Sequence, residues 1–179
     1  RRVFADGRFQ QRSAIGGLRP GNELVVVQVA GPEPAPGRLV GRPQRANDDP
    51  GHAQYALSAA DSYAVVAPDA SHALHMPSHI YVALGMWDEV VSSNENSYQA
   101  SLNRMERKGL GNDARGYHAY HWMEYGYLQQ GRIEHAQKLV KDMVVYTRET
   151  PSVRARTHLV YLKGTYLVET EDWTGEIAD

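Results

Sequence analysis

The stretch SHALHMPSHIYVALGMWDEV, residues 71–90, decides how the rest of the chain is read. It carries three histidines, His72, His75 and His79, at helical spacing, and a helix stop at Gly85. A second stretch, YHAYHWMEYGYLQQGRIEHA, residues 117–136, repeats the pattern. His118 falls 46 residues after His72, and the same offset relates Ala73 to Ala119, His75 to His121, Tyr81 to Tyr127 and Gly85 to Gly131. Helix–turn–helix units at a fixed period are the mark of a solenoid, in which each unit buries its apolar face against the next.

Outward from these two stretches the same texture continues. Residues 52–67, HAQYALSAADSYAVVA, place Ala53, Ala56, Ala60 and Tyr63 three and four apart, which predicts a helix with one packing face. Pro68-Asp69 ends it. Residues 71–84 predict the next helix, with Pro77 inside it. Proline there either kinks the helix or begins a new one at its first position. A helix from Trp87 to about Arg107 follows, then a loop at residues 108–116. Two more helices, at about 117–130 and 132–149, are divided by Gly131. Pro151 precedes a fifth region near Ser152, and a last turn opens at Asp172-Trp173.

These turn signals resemble the tetratricopeptide repeat, a pair of antiparallel helices. In that family a Tyr in the first helix is followed by Gly-x-aromatic at the turn, then a small residue, then a closing Pro. Tyr81, Gly85-Met86-Trp87 and Val90 fit one unit, and Tyr127, Gly131-Arg132-Ile133 and Ala136 fit the next. Gly51, Ala56 and Pro68 represent a partial earlier unit. Trp173 represents a partial later one, with Glu171 where Gly is usual. The spacing of 46 residues exceeds the family's usual ~34 and implies longer second helices or loops. Residues 70–90 are also similar to a stretch in bacterial tetratricopeptide proteins of undefined biochemistry. The expected class is therefore all-α, a helical-hairpin repeat solenoid over residues 47–179, with both end units incomplete.

At about 100° per residue, His72, His75 and His79 share an arc of about 60° on one helix face. In the repeat register they occupy positions that line the concave groove of tetratricopeptide proteins, where extended peptides bind. Their equivalents are His118, His121 and Tyr125, then His158, Tyr161 and Thr165. Six of the eight histidines thus fall on one expected inner surface. The resemblance implies a protein- or peptide-binding module that is not an enzyme and needs no cofactor. The family's carboxylate-binding grooves use Lys, Arg and Asn, whereas His and Tyr stand here.

The alternative is a metal-dependent, hydrolase-like site, with zinc held by His72, His75, His118 and His121. Imidazoles suit zinc when they converge, but no HExxH motif is present, and stacked helices stand about 8–10 Å apart. Each histidine could also be an ordinary packing residue. Glu124, one turn after His121, is a candidate ligand, orienting group or acid–base group, or a partly buried Glu satisfied by a neighbouring His or Tyr. Trp122 and Tyr127 read as core. Nucleophile-elbow, phosphate-loop and dinucleotide motifs are absent.

Composition sets the remaining bounds. A net charge of −2 gives no general attraction to nucleic acid. There is no cysteine, and no apolar run approaches a membrane span. With no signal peptide visible, a cytoplasmic location is expected, and a chain beginning at Arg1 rather than Met reads as a fragment or processed form. Nothing in the pattern specifies an oligomeric state.

Residues 1–46 differ sharply from the rest. They hold eight Arg, no Lys and three acids, a balance of +5, against −7 for residues 47–179. Residues 23–30, ELVVVQVA, read as a possible strand, and the proline-rich residues 31–44 cannot sustain a helix. The repeat register asks for a helix over residues 37–50 to cover the one at 52–67, and GRLVGRPQRANDDP has no such periodicity. An irregular arm foreign to the fold, from a shifted reading frame or an unrelated junction, is expected. The rival is a genuine arm whose strand pairs outside the chain.

Overall fold

The computed structural model describes residues 11–18, 24–30 and 51–178. From residue 51 onward the described chain is built of helices and turns, with no strand among them. The helices are α1 (Ala53–Val66), α2 (Ser71–His75), α3 (Ser78–Leu84), α4 (Trp87–Lys108), α5 (Tyr117–Gln129), α6 (Ile133–Glu149) and α7 (Val153–Thr170). A short 3-10 turn, Asn112–Ala114, stands between α4 and α5. No helix among the described residues is long and apolar enough to cross a membrane. Towards the N-terminus, β1 (Gln11–Leu18) pairs antiparallel with β2 (Leu24–Ala30), with Leu18 opposite Leu24. The possible strand at residues 23–30 is thus present as β2, and its partner lies in the same chain. The expectation of an irregular arm is not met at residues 11–18 and 24–30, which pair as a hairpin, and for the rest of residues 1–46 it lies outside the described residues.

Packing follows chain order. Helix α1 rests on α2 and α3, these two rest on α4, and α4 rests on α5. Helices α5, α6 and α7 then pack on one another. Two apolar clusters result. Ala53, Ala56 and Ala60 of α1 meet Ile80, Tyr81 and Val90, and the small alanines let the helices approach closely. The larger cluster includes Tyr117, Met123, Leu139, Val140, Met143, Leu162 and Tyr166. Residues 171–178 form turns, not a further helix, and they return Ile177 to that cluster.

Glycine fixes two of the reversals. Gly85 has φ 69° and Gly131 φ 70°, left-handed conformations that cost an L residue Cβ crowding. Their hydrogen bonds match across the 46-residue offset. Gly85 N donates to Val82 O and Met86 N to Tyr81 O, at 3.1 and 2.9 Å. Gly131 N donates to Leu128 O and Arg132 N to Tyr127 O, at 3.0 and 2.8 Å. Carbonyls at the helix end are thereby satisfied by the turn itself. The tyrosines of the two stretches also behave alike. Tyr81 donates to Asp61 at 2.8 Å and Tyr127 to Glu95 at 2.6 Å, so each buried ring keeps its hydroxyl paired.

Pro77 divides the histidine-bearing helix. Its φ of −57° and ψ of −30° are helical, so the chain continues in nearly helical form while the ladder is interrupted. Serine side chains bond the backbone of α2 beside it. Ser78 Oγ donates to His75 O at 2.7 Å, Ser93 Oγ to Leu74 O at 2.5 Å, and Ser97 Oγ to Ser71 O at 2.6 Å. The α2–α4 contact is therefore a polar seam. By contrast, α4 and α5 meet through missing bulk. A Cβ on Gly126 would lie 2.8 Å from Val91 Cγ2 and 3.2 Å from Val90 Cγ1.

Two substitutions test these features by urea unfolding. Gly126→Ala should cost ~1–3 kcal/mol through overpacking. Glu171, at φ 54°, is the one non-glycine residue with positive φ among those described. Glu171→Gly should raise stability by up to ~1 kcal/mol.

Candidate functional site

The Pro77 break sets His75 deep beneath the surface, 1% exposed. Its Nδ1 lies 2.7 Å from Asn94 Oδ1. Asn94 Nδ2 donates to Val90 O at 2.8 Å, which fixes the amide with its oxygen toward the ring. Nδ1 must then carry the proton, because Asn94 Oδ1 can only accept. Ser78 Oγ, 3.3 Å from the same nitrogen, already gives its hydrogen to His75 O and can only accept there. Nε2 is therefore the bare nitrogen, and it is buried with no hydrogen-bond partner among the described residues.

Aromatic rings crowd around it. The centroids of His79 and His118 lie 5.1 and 4.5 Å from that of His75, both edge-on. Trp122 stands edge-on to His75 at 5.1 Å and tilted over His79 at 4.4 Å. One nitrogen each from His75, His79 and His118 fall within 4.8 Å of one another. Burial holds the His75 pKa down to about 4; the Asn94 hydrogen bond opposes this, and the neighbouring imidazoles add to it. The ring is neutral at neutral pH.

A second group adjoins the first. His121 Nε2 lies 2.7 Å from Thr165 Oγ1, and its ring stacks on Tyr161 at 5.8 Å. Burial, with the nearby His118 and His158, lowers the His121 pKa to about 4. His158 Nδ1 donates to Arg154 O at 2.9 Å, and its ring meets Tyr117 and Tyr161. Beside this group an open cavity of about 440 Å³ is walled by Val82 of α3, by His121, Trp122 and Tyr125 of α5, and by Thr165 and Val168 of α7. Gly164, whose missing Cβ would meet nothing within 4 Å, and Glu169 complete it.

The expected inner surface is thus divided. His72 and His118 are both exposed, but His75, expected on the groove wall, is covered by α4 and Trp122. The fold does not assemble His72, His75, His118 and His121 as one metal set. His121 is engaged with Thr165, and the nitrogens that converge are those of His75, His79 and His118. Of the expected groove residues, His121, Tyr125 and Thr165 line the cavity, and Tyr161 is exposed on α7 nearby. Val82, Trp122, Gly164, Val168 and Glu169 were not anticipated there. For the α7 residues, carrying its stripe one and two turns beyond Tyr161 reaches Gly164 and Val168 and would have found them. Trp122, read as core, is half-buried and serves both the cavity and the histidine cluster.

Glu124 is 0% exposed, and neither carboxylate oxygen has a hydrogen-bond partner among the described residues. The expectation that a His or Tyr would satisfy it is not met. Burial alone raises its pKa to about 9, so it stands protonated at neutral pH. It is not part of the converging set of His75, His79 and His118.

Compared with known proteins, the chain matches no family model, no curated protein and no solved structure.

The buried carboxyl has a measurable consequence. Between pH 7 and 9 the folded chain keeps the Glu124 proton that the unfolded chain has lost. Stability must then fall as pH rises, by up to about 1.4 kcal/mol per pH unit, and this loss ends above about pH 9. Urea denaturation across that window should show the decline in the parent and a much flatter profile in Glu124→Gln.

Proposed function

We propose that residues 47–179 form tetratricopeptide-like repeats whose first helices present a groove for a protein or peptide segment. The observation that carries this reading is the cavity shared by α3, α5 and α7. Its walls are mainly apolar, from Val82, Trp122, Tyr125 and Val168, with His121, Thr165 and Glu169 as the polar groups. Such a lining suits one apolar anchor side chain, with a few polar contacts to orient the backbone around it. Exposed Val160, Tyr161 and Val168 extend apolar surface along α7. The matching turns at Gly85 and Gly131, and the packing of α5 on both α6 and α7, support a repeated hairpin unit. Binding of this kind needs no cofactor.

Gly164 offers a test, because it lines the cavity and a Cβ there would meet nothing within 4 Å. Peptides selected from a displayed random library against the parent should carry an aliphatic or aromatic anchor. Gly164→Leu should weaken their binding at least ~10-fold, since most of the energy of such contacts rests on a few buried anchors, with no fall in melting temperature. Selected peptides that bind Gly164→Leu and Trp122→Ala as tightly as the parent would remove the groove from consideration.

A further inference from the structure

The cluster of His75, His79 and His118 lies beside the groove but is not needed by it. We propose that these three imidazoles form a binding site for one divalent transition-metal ion of the zinc class, with Asn94 orienting His75. Three observations converge on this site. The first is convergence itself, with one nitrogen from each ring within 4.8 Å of the others, contributed by α2, α3 and α5.

The second is the tautomer. Asn94 holds the proton on His75 Nδ1, which leaves the Nε2 lone pair bare. A histidine that ligates a metal characteristically donates its other ring N–H to an oxygen acceptor, which sets its orientation and raises its basicity. The third is that Nε2 has no hydrogen-bond partner among the described residues. A fully buried polar nitrogen without a partner is costly, and an ion at this point would satisfy it.

The chemistry of the donor set narrows the ion. Three imidazole donors with no carboxylate or thiolate among them favour zinc, copper, nickel or cobalt over magnesium or calcium. Bonds of ~2.0–2.1 Å to a tetrahedral ion would draw the three nitrogens to separations of ~3.4 Å. The exposed His118 ring can rotate to provide much of that closure. Its exposure also leaves a fourth position open to water, and Trp122 forms an apolar wall against His75 and His79. The site stands whether or not the groove binds a peptide.

The test uses the whole chain stripped with a chelator and titrated with Co(II), followed by visible absorption, with zinc as competitor. One equivalent of Co(II) should bind with a nitrogen-ligand spectrum that zinc abolishes. His118→Ala, changed at an exposed ring, should weaken binding at least ~10-fold with an unaltered far-ultraviolet circular dichroism spectrum, and His79→Ala should do the same. His158→Ala, outside the cluster, should change affinity less than about twofold. No saturable one-to-one binding by the parent would overturn the proposal. So would a His118→Ala variant that binds as tightly as the parent, or a His158→Ala variant that loses as much. Should His79→Ala fail to fold, the His118 comparison decides the matter alone.

Discussion

A proline without an N–H at position 77 is the constraint from which much of this architecture follows. It divides one helix into α2 and α3, and the break exposes backbone that apolar packing cannot satisfy. Beside the break, the hydroxyls of Ser78 and Ser93 donate to His75 O and Leu74 O, and Ser97 donates to Ser71 O at the start of α2. Helix α4 presents Ser93, Asn94 and Ser97 toward α2. Asn94 is drawn into the same seam and binds the His75 ring. The depth of His75 and the tautomer of its ring belong to that seam.

Much of the helical pattern could be read from the residues. The turns at Gly85 and Gly131 are legible because a left-handed residue at a helix end has few alternatives to glycine. Glu171 shows the limit of that rule, since it adopts the same conformation with a full side chain. The histidine face was legible as an angle on a helix. Its depth was not, because helical period says nothing of how far a neighbouring helix covers a position. His75 and His121 occupy equivalent places in the two stretches, yet one is sealed against Asn94 and the other reaches Thr165. The separation expected of stacked helices argued against convergent imidazoles. Here side chains from α2, α3 and α5 close that gap at the Pro77 break.

Trp122 links the two parts of the site. Its ring lies over His79 and against His75, and it also walls the cavity with Tyr125 and Val82. A change in the position of the histidine rings would be felt by the same indole that a groove ligand would touch. The two sites are thus mechanically adjacent although they are built for different chemistry. The groove is formed mainly by α5 and α7, whereas the imidazole cluster is formed by α2, α3 and α5. Helix α5 is the common element, and Gly126 on it sets how closely it can approach α4.

The isolation of Glu124 has one more consequence. A protonated carboxyl with no hydrogen-bond partner among the described residues has a carbonyl stretch that lies apart from the amide bands and from ionised carboxylates. The frequency of that stretch reports the local electric field. This protein therefore holds, between its packed helices, a vibrational probe that requires no labelling. Isotope substitution or Glu124→Gln would identify the band, and its position would register how tightly the interior excludes water as the surrounding helices shift.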